Sequence, residues 1–185
     1  KGGYETFMLK EIFEQPHAVA DTIGDRVRHG RLVLEGLGMT DDEVKQLRRI
    51  ILVACGTAYH ACVAGRYVIE EWARVPVEFD IASEWIYRNP VISERDLVIG
   101  ITQSGETRDT IEALKLAREN GARTVAITNM MGSQVTREVD SVLYAELDDG
   151  GLGKLLQRRM YSQRLPLHAC TRGQPGQCLE GGDEL

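Results

Sequence analysis

The sequence predicts a doubly wound α/β domain built on about five parallel strands. Short apolar runs rich in β-branched residues recur along the chain, and they lack the polar alternation of a sheet with one solvated face. The segments between the runs are long enough for crossover helices, and two of those segments have helical periodicity. The predicted strands are IILVA (50–54), VEFDI (77–81), LVIGI (97–101), TVAIT (124–128) and SVLY (141–144).

Composition and charge agree with such a domain and disfavour several other classes of protein. The chain has 185 residues, of which 43% are hydrophobic, enough for one core. Its formal net charge of -6 argues against a nucleic-acid partner, because phosphate backbones are held mainly by clustered Lys and Arg. No apolar run is long enough for a membrane span, so we expect no membrane association.

The cysteines and the glycine patterns indicate neither a metal nor a cofactor. Cys55, Cys62, Cys170 and Cys178 lack the spacing of zinc ligands, and the first two stand among apolar residues, as buried thiols do. A reducing cytoplasm is the expected location. The chain has no G-x-G-x-x-G fingerprint and no Walker loop, so nucleotide binding is disfavoured.

The residues before the first predicted strand form two segments. Residues 1–24 carry apolar side chains at Phe7, Met8, Ile12 and Phe13, which suggests a helical lead-in. Residues 25–49 are mixed and charged, and we interpret them as a connecting segment with one short helix. The run GMTDDEVKQLRR (38–49) offers Thr40 as the N-cap of that helix, with acidic residues in the first turn.

Two crossover helices follow from the spacing of apolar residues. Ala61, Ala64, Val68 and Trp72 recur at helical intervals after the first strand. The same spacing is found after the third strand, at Ile111, Leu114 and Ala117. We expect each stripe to face the sheet.

Two polar turns stand at strand ends, where ligands bind in open parallel sheets. The first is Cys55-Gly56-Thr57-Ala58, and the second runs from Thr102 to Thr107 with the sequence TQSGET. Glycines permit tight turns, hydroxyls and the Gln103 amide can donate hydrogen bonds, and a helix that begins there presents free N–H groups. Since no Lys or Arg is central to either turn, we predict a phosphoryl group held by neutral donors and the helix dipole.

The alternative is that these hydroxyls only cap helices. A Ser/Thr-Gly-Glu-Thr sequence before a helix is common capping chemistry, in which hydroxyls satisfy the orphan N–H groups. The occurrence of two such turns at strand ends favours ligand binding.

Three stretches resemble a known family. ACGTAYHA (54–61), ASEWIYR (82–88) and ITQSGETRDT (101–110) are similar to the first sugar-isomerase (SIS) half of the glucosamine-6-phosphate synthase family, the glutamine:fructose-6-phosphate aminotransferases. The lead-in GGYETFMLKEIFEQP (2–16) resembles the family's segment between the glutaminase and isomerase domains. The match runs to about Tyr144, after which residues 145–185 depart from the family pattern.

The resemblance implies a flavodoxin-like SIS fold that binds fructose 6-phosphate. The family's sugar-phosphate contacts fall on Thr57, Thr102, Gln103, Ser104 and Thr107. Ala58 stands in the same binding segment, at a position where many members have serine, so one hydroxyl contact is lost or replaced.

The resemblance also implies a division of the chain and a limit on its chemistry. We expect residues 1–44 to be the lead-in from a missing glutaminase domain, 45–145 to be the phosphosugar-binding SIS domain, and 146–185 to be a divergent, poorly ordered tail. The family's base, ring-opening histidine and Schiff-base lysine come from the second SIS half and the C-terminal tail, so we assign no catalytic residue here. The isolated chain is therefore expected to be an inactive fragment of an enzyme that forms a homodimer through its SIS domains.

A second function remains open at this stage. A stand-alone SIS module could sense a sugar phosphate and regulate another protein. The lead-in favours the aminotransferase, since a sensor needs no glutaminase linker, and no DNA-binding helix-turn-helix is visible.

Overall fold

A computed structural model describes residues 2–24, 26–29 and 31–145. The predicted tail, residues 146–185, lies outside the described residues. The helices are α1 (Phe7–Gly24), α2 (Asp41–Lys45), α3 (Thr57–Ala73), α4 (Ala82–Tyr87), α5 (Arg108–Glu119) and α6 (Val135–Glu138), with a 3-10 turn at Glu35–Leu37. The strands are β1 (Val27–Arg28), β2 (Arg31–Leu32), β3 (Arg49–Ala54), β4 (Val77–Ile81), β5 (Asp96–Ile101), β6 (Arg123–Thr128) and β7 (Ser141–Tyr144).

Five parallel strands form the main sheet, in the order β4-β3-β5-β6-β7. If the five strands are numbered 1 to 5 along the chain, their order in the sheet is the flavodoxin-like 2-1-3-4-5. The strand order reverses between β3 and β5. The register pairs Ala54 with Ile101, so β3 and β5 end side by side. The predicted α/β fold and its five strands are confirmed.

Helices cover both faces of this sheet. Along β3, Ile51 and Val53 pack with α4 and α5, whereas Leu52 and Ala54 pack with α3 on the other face. Because successive side chains of a strand point to opposite faces, a continuous apolar run supplies both cores.

The segments before β3 agree with the sequence prediction. The lead-in is helical over Phe7–Gly24, and Tyr4 stacks on Phe13 with ring centroids 5.7 Å apart. A short antiparallel pair, β1 with β2, and the 3-10 turn lead to α2. Thr40 caps α2 as predicted, in a capping box completed by Glu43.

The Glu43 carboxylate accepts hydrogen bonds from the backbone N–H and the hydroxyl of Thr40. Both bonds lower the pKa of Glu43, the backbone bond more than the hydroxyl bond.

The two crossover helices differ in which side chains they bury. On α5 the predicted stripe of Ile111, Leu114 and Ala117 is fully buried, as expected. On α3 the expected stripe is wrong beyond Ala61, because Trp72 is 79% exposed and Val68 is exposed as well.

Small side chains explain why α3 buries a different face from the one that the sequence predicts. The residues it buries are Ala58, Ala61 and Cys62, and a Cβ built on Gly65 would lie 3.7 Å from Leu52 Cδ1. Small residues let this helix approach the sheet closely, so its bulky side chains remain outside.

No helix in the described part of the chain combines the length and the apolar character of a membrane span.

Candidate functional site

The two polar turns lie together at the carboxyl edge of the sheet. The first turn (residues 55–58) follows β3 and leads into α3, while the second turn (residues 102–107) follows β5 and leads into α5. Since β3 and β5 are neighbours whose ends are in register, the turns are adjacent, and both helices point their N-termini to this edge. The strand order reverses here, and ligands bind at such a reversal in open parallel sheets.

Hydrogen bonds within the second turn fix its shape. The Thr102 hydroxyl is buried and accepts the N–H of Gly105 at 3.3 Å. The same hydroxyl lies 3.0 Å from the Thr107 hydroxyl across the turn. The N–H of Glu106 donates to the Ser104 hydroxyl at 3.2 Å. Thr102 therefore supports the turn from beneath, whereas Gln103 and Ser104 are exposed at its surface.

Several N–H donors of the second turn remain unpaired. Within the described residues, the backbone N–H groups of Gln103, Ser104 and Thr107 have no hydrogen-bond partner. Thr107 is the N-cap residue of α5, yet its side chain makes no capping bond. Capping alone therefore does not account for Thr107, and the turn presents free donors at the positive end of a helix.

A third loop (residues 128–135) supports the second turn from one side. The Thr128 hydroxyl donates to the carbonyl of Gln103 at 3.2 Å, and the N–H of Val135 donates to the carbonyl of Gly105 at 3.0 Å. The N–H of Gln134 donates to the Glu106 carboxylate at 2.8 Å.

Gly105 is required where the second turn meets this loop. Its φ of +66° is in the left-handed region, and a Cβ there would overlap the Ser133 side chain. Sequence reasoning did not identify the third loop, although its polar residues also follow a strand end.

The first turn has fewer internal bonds. Gly56 has a φ of +56°, and a Cβ on it would meet nothing within 4 Å. Thr57 opens α3, and its hydroxyl has no partner among the described residues. Ala58 is only 8% exposed and belongs to the apolar cluster under α3, so its side chain faces the core rather than the edge.

Cys55 connects the first turn to α5. Its Sγ lies 3.9 Å from the Thr110 hydroxyl and 4.0 Å from an Asp109 carboxylate oxygen. Cys62, seven residues later and within α3, is fully buried, and burial raises its pKa to about 12. Cys62 is therefore a protonated core thiol at neutral pH, whereas Cys55 is half-buried at the edge.

The site contains neutral donors and acidic side chains rather than basic ones. In the described ranges, no Lys or Arg side chain makes a hydrogen bond to either turn, and no group of three or more His, Cys, Asp or Glu could hold a metal ion. Glu106 and Asp109 are exposed here. An anion bound at this edge would thus depend on N–H groups, hydroxyls and helix dipoles.

A cleft of about 380 Å³ lies at the opposite, amino-terminal edge of the sheet. Its lining includes Arg118 and Arg123, but Arg118 pairs with Asp140 at 3.3 Å and Arg123 donates to the carbonyl of Gly38 at 2.7 Å. These cations already stabilise the fold, and the cleft is distant from the polar turns.

The order of the sheet, with two polar turns at its reversal, defines the chain as a flavodoxin-like α/β domain whose candidate site lies at this edge. The SIS domain family model matches residues 43–153, and the chain belongs to the SIS family. The individual proteins that the chain resembles have a more specific description than the SIS family as a whole.

The chain is 56% identical over 145 residues to the glutamine–fructose-6-phosphate aminotransferase (isomerizing) of Caldanaerobacter subterraneus subsp. tengcongensis. That alignment covers 78% of this chain and 24% of the relative, so the chain spans about a quarter of the length of the curated relatives it matches.

Solved structures agree with this placement. The C-terminal domain of the glucosamine-fructose-6-phosphate aminotransferase from Francisella tularensis has a TM-score of 0.71 at 37% identity, covering 79% of this chain and 41% of that one. The sugar isomerase domain of an RpiR transcription factor from Sphaerobacter thermophilus has a TM-score of 0.60 at 18% identity, covering 84% and 87%. The second likeness shows the shared fold alone.

Proposed function

We propose that this chain binds fructose 6-phosphate as the first SIS half of a glutamine:fructose-6-phosphate aminotransferase. The observation that carries the proposal is the set of unpaired N–H groups at Gln103, Ser104 and Thr107, at the N-terminus of α5 and at the reversal of the sheet. Such donors suit a phosphate group. The choice of fructose 6-phosphate as the sugar phosphate comes from the name of the similar proteins.

The hydroxyls of the second turn have distinct roles in this proposal. A bound phosphate dianion offers no proton, so Thr107 must donate its own proton to it. Thr102 then donates to the Thr107 oxygen across their 3.0 Å separation while accepting from Gly105. Thr102 thus orients Thr107 from below, while Gln103, Ser104 and Thr57 contribute further donors.

Ala58 contributes through its backbone in the first turn of α3, since its side chain is buried. Because no Lys or Arg side chain of the described residues bonds to either turn, we expect moderate affinity and ready release of the ligand.

The proposal also covers the activity of the whole protein. The whole protein converts fructose 6-phosphate and glutamine into glucosamine 6-phosphate and glutamate. It acts in the cytoplasm, as a homodimer formed through SIS domains. Residues 1–44 serve as the lead-in from a glutaminase domain, and residues 45–145 bind the sugar phosphate. Isomerisation needs a positioned base within hydrogen-bond reach of the sugar, and none is matched in residues 2–145.

A thermal shift experiment tests the binding proposal. Fructose 6-phosphate should raise the Tm of the 185-residue chain by mass action, and unphosphorylated fructose should leave it unchanged. Equal shifts with both sugars would contradict the phosphate assignment. In a parallel assay with glutamine, the chain should form no glucosamine 6-phosphate above a no-enzyme control.

The alternative of a stand-alone sugar-phosphate sensor has weaker support. Its structural counterpart shares 18% identity with this chain, against 56% for an aminotransferase. The sensor would be favoured if genomic sequence next to this segment encoded a DNA-binding module instead of glutaminase and second SIS domains.

A further inference from the structure

Glu106 holds a distinctive position in the second turn. It lies between Gly105 and Thr107, and one carboxylate oxygen accepts the N–H of Gln134 from the third loop at 2.8 Å. Of the bonds that join turn and loop, this one uses an ionisable side chain. It therefore brings a full negative charge to a turn that presents N–H donors to an anion.

The other bonds to the third loop explain how the donors are oriented. In a trans peptide the C=O and the following N–H point in opposite directions. The Gln103 carbonyl accepts from Thr128 at 3.2 Å, so the N–H of Ser104 points away from the third loop. Contacts between the turn and this loop thus direct a free donor towards the open side of the edge.

No cation of the described residues forms an ion pair with Glu106. Within the described residues, Glu106 takes part in no ion pair, and the neighbouring Arg108 makes none either. A carboxylate in the same turn as a bound phosphate dianion repels it, and the repulsion is screened by salt. A neutral amide of the same shape could accept the Gln134 N–H without that repulsion.

We propose that Glu106 is a positioning residue with two opposing effects on the phosphate turn. Its carboxylate oxygen fastens the turn to the third loop and thereby orients the N–H donors. Its negative charge lowers the affinity for the sugar phosphate, so that the ligand exchanges readily. The second effect rests on the proposed function, whereas the first concerns the turn itself.

Two substitutions separate these effects, and a third serves as a control. Glu106→Gln keeps the acceptor and removes the charge, while Glu106→Ala removes both. Glu119→Gln makes the same charge change at the far end of α5, a helix of 12 residues that is roughly 18 Å long. Glu119 is exposed and pairs with no described residue, so its replacement should leave binding unchanged.

Calorimetric titration of the 185-residue chain with fructose 6-phosphate measures the charge effect. Glu106→Gln should bind about three- to tenfold more tightly than the parent at low salt, and the gain should shrink as ionic strength rises. Glu106→Ala should bind more weakly than Glu106→Gln. Equal or weaker binding by Glu106→Gln, or an equal gain in Glu119→Gln, would overturn the charge effect.

Amide hydrogen exchange at Gln134, measured without ligand, tests the positioning effect independently. Exchange should be faster in Glu106→Ala and near the parent rate in Glu106→Gln, because only the alanine variant lacks the acceptor. Unchanged exchange in Glu106→Ala would overturn the positioning role. If the parent binds no sugar phosphate, the proposed function and the charge effect fail together, while the exchange rates still decide the positioning role.

Discussion

The two turns at the reversal of the sheet have the same place in the fold but are built differently. The second turn (residues 102–107) is tied internally through Thr102 and externally to the third loop. The first turn (residues 55–58) has an open glycine and a threonine hydroxyl that bonds to none of the described residues. The second turn is therefore held by hydrogen bonds to its neighbours, whereas the first turn contacts α5 mainly through Cys55.

This difference suggests that the two turns contribute to ligand binding in different ways. A rigid turn can present several backbone donors in a fixed arrangement at little entropic cost on binding. A turn with a free hydroxyl can add one contact without disturbing the fold. Substitutions in the second turn should therefore change both stability and binding, whereas those in the first turn should separate the two.

The largest expected effect is that of Gly105→Ala. The left-handed φ costs an alanine roughly 1–2 kcal/mol, and the overlap with Ser133 adds a strain of about 1–3 kcal/mol. Gly56→Ala gives a comparison without overlap: its φ of +56° and ψ of -130° also disfavour alanine, but nothing in the described residues lies within 4 Å of the added methyl group. Urea unfolding measures the loss of unfolding free energy in both variants, and only at Gly105 should part of that loss come from the overlap.

A double substitution sharpens this prediction. Adding Ser133→Gly to Gly105→Ala removes the overlapping side chain and should restore part of the lost stability, giving a measurable coupling energy. The same Ser133→Gly change added to Gly56→Ala should restore nothing. No coupling between Gly105→Ala and Ser133→Gly would contradict the view that the third loop supports the second turn.

The next largest effect is expected for Thr107→Ala. Loss of a hydrogen bond to a charged phosphate should weaken fructose 6-phosphate binding by about 1.5–3 kcal/mol. Stability should fall by roughly 1 kcal/mol, because the bond to Thr102 is also lost. Thr57→Ala should weaken binding with little change in stability. Calorimetric titration and urea unfolding measure both, with Thr107→Ser as the control that keeps the hydroxyl.

Ser104→Ala extends this comparison to the surface of the second turn. It should lower affinity by a similar amount while altering stability less than Thr107→Ala, since Ser104 is exposed. A loss of stability without a loss of binding at either position would favour the capping interpretation of these hydroxyls.

The sequence predicts the fold well because local signals and topology agree. Apolar runs separated by crossover helices define a parallel sheet, and its strand ends locate both polar turns. The N-cap at Thr40 was equally predictable, because it depends on residues next to each other in the sequence, although its capping box with Glu43 was not predicted. Each of these features is local or follows from chain order.

Features that depend on tertiary contacts could not be predicted in the same way. The buried face of α3 is set by how closely small residues approach the sheet, so bulk at Trp72 was a misleading guide to burial. The support of the second turn by Thr128 and Gln134 joins residues about 25 positions apart, and no pattern within either segment indicates the pairing. The burial of Thr102 under its own turn also depends on this packing.

The smallest expected effect concerns Cys55, which reports on the first turn without a substitution. Iodoacetamide at pH 8 should alkylate Cys55, which is half-buried at the edge, and should leave Cys62 unmodified. Burial raises the pKa of Cys62 to about 12, so roughly one thiol in ten thousand is a thiolate at that pH. Fructose 6-phosphate should slow alkylation of Cys55 a few-fold, because the bound sugar phosphate covers the turn that contains Thr57, whereas fructose should not. Mass spectrometry of the separated peptides follows each cysteine by itself. If the rate at Cys55 were the same with and without the sugar phosphate, the first turn would not contribute to the site, and binding would rest on the second turn alone.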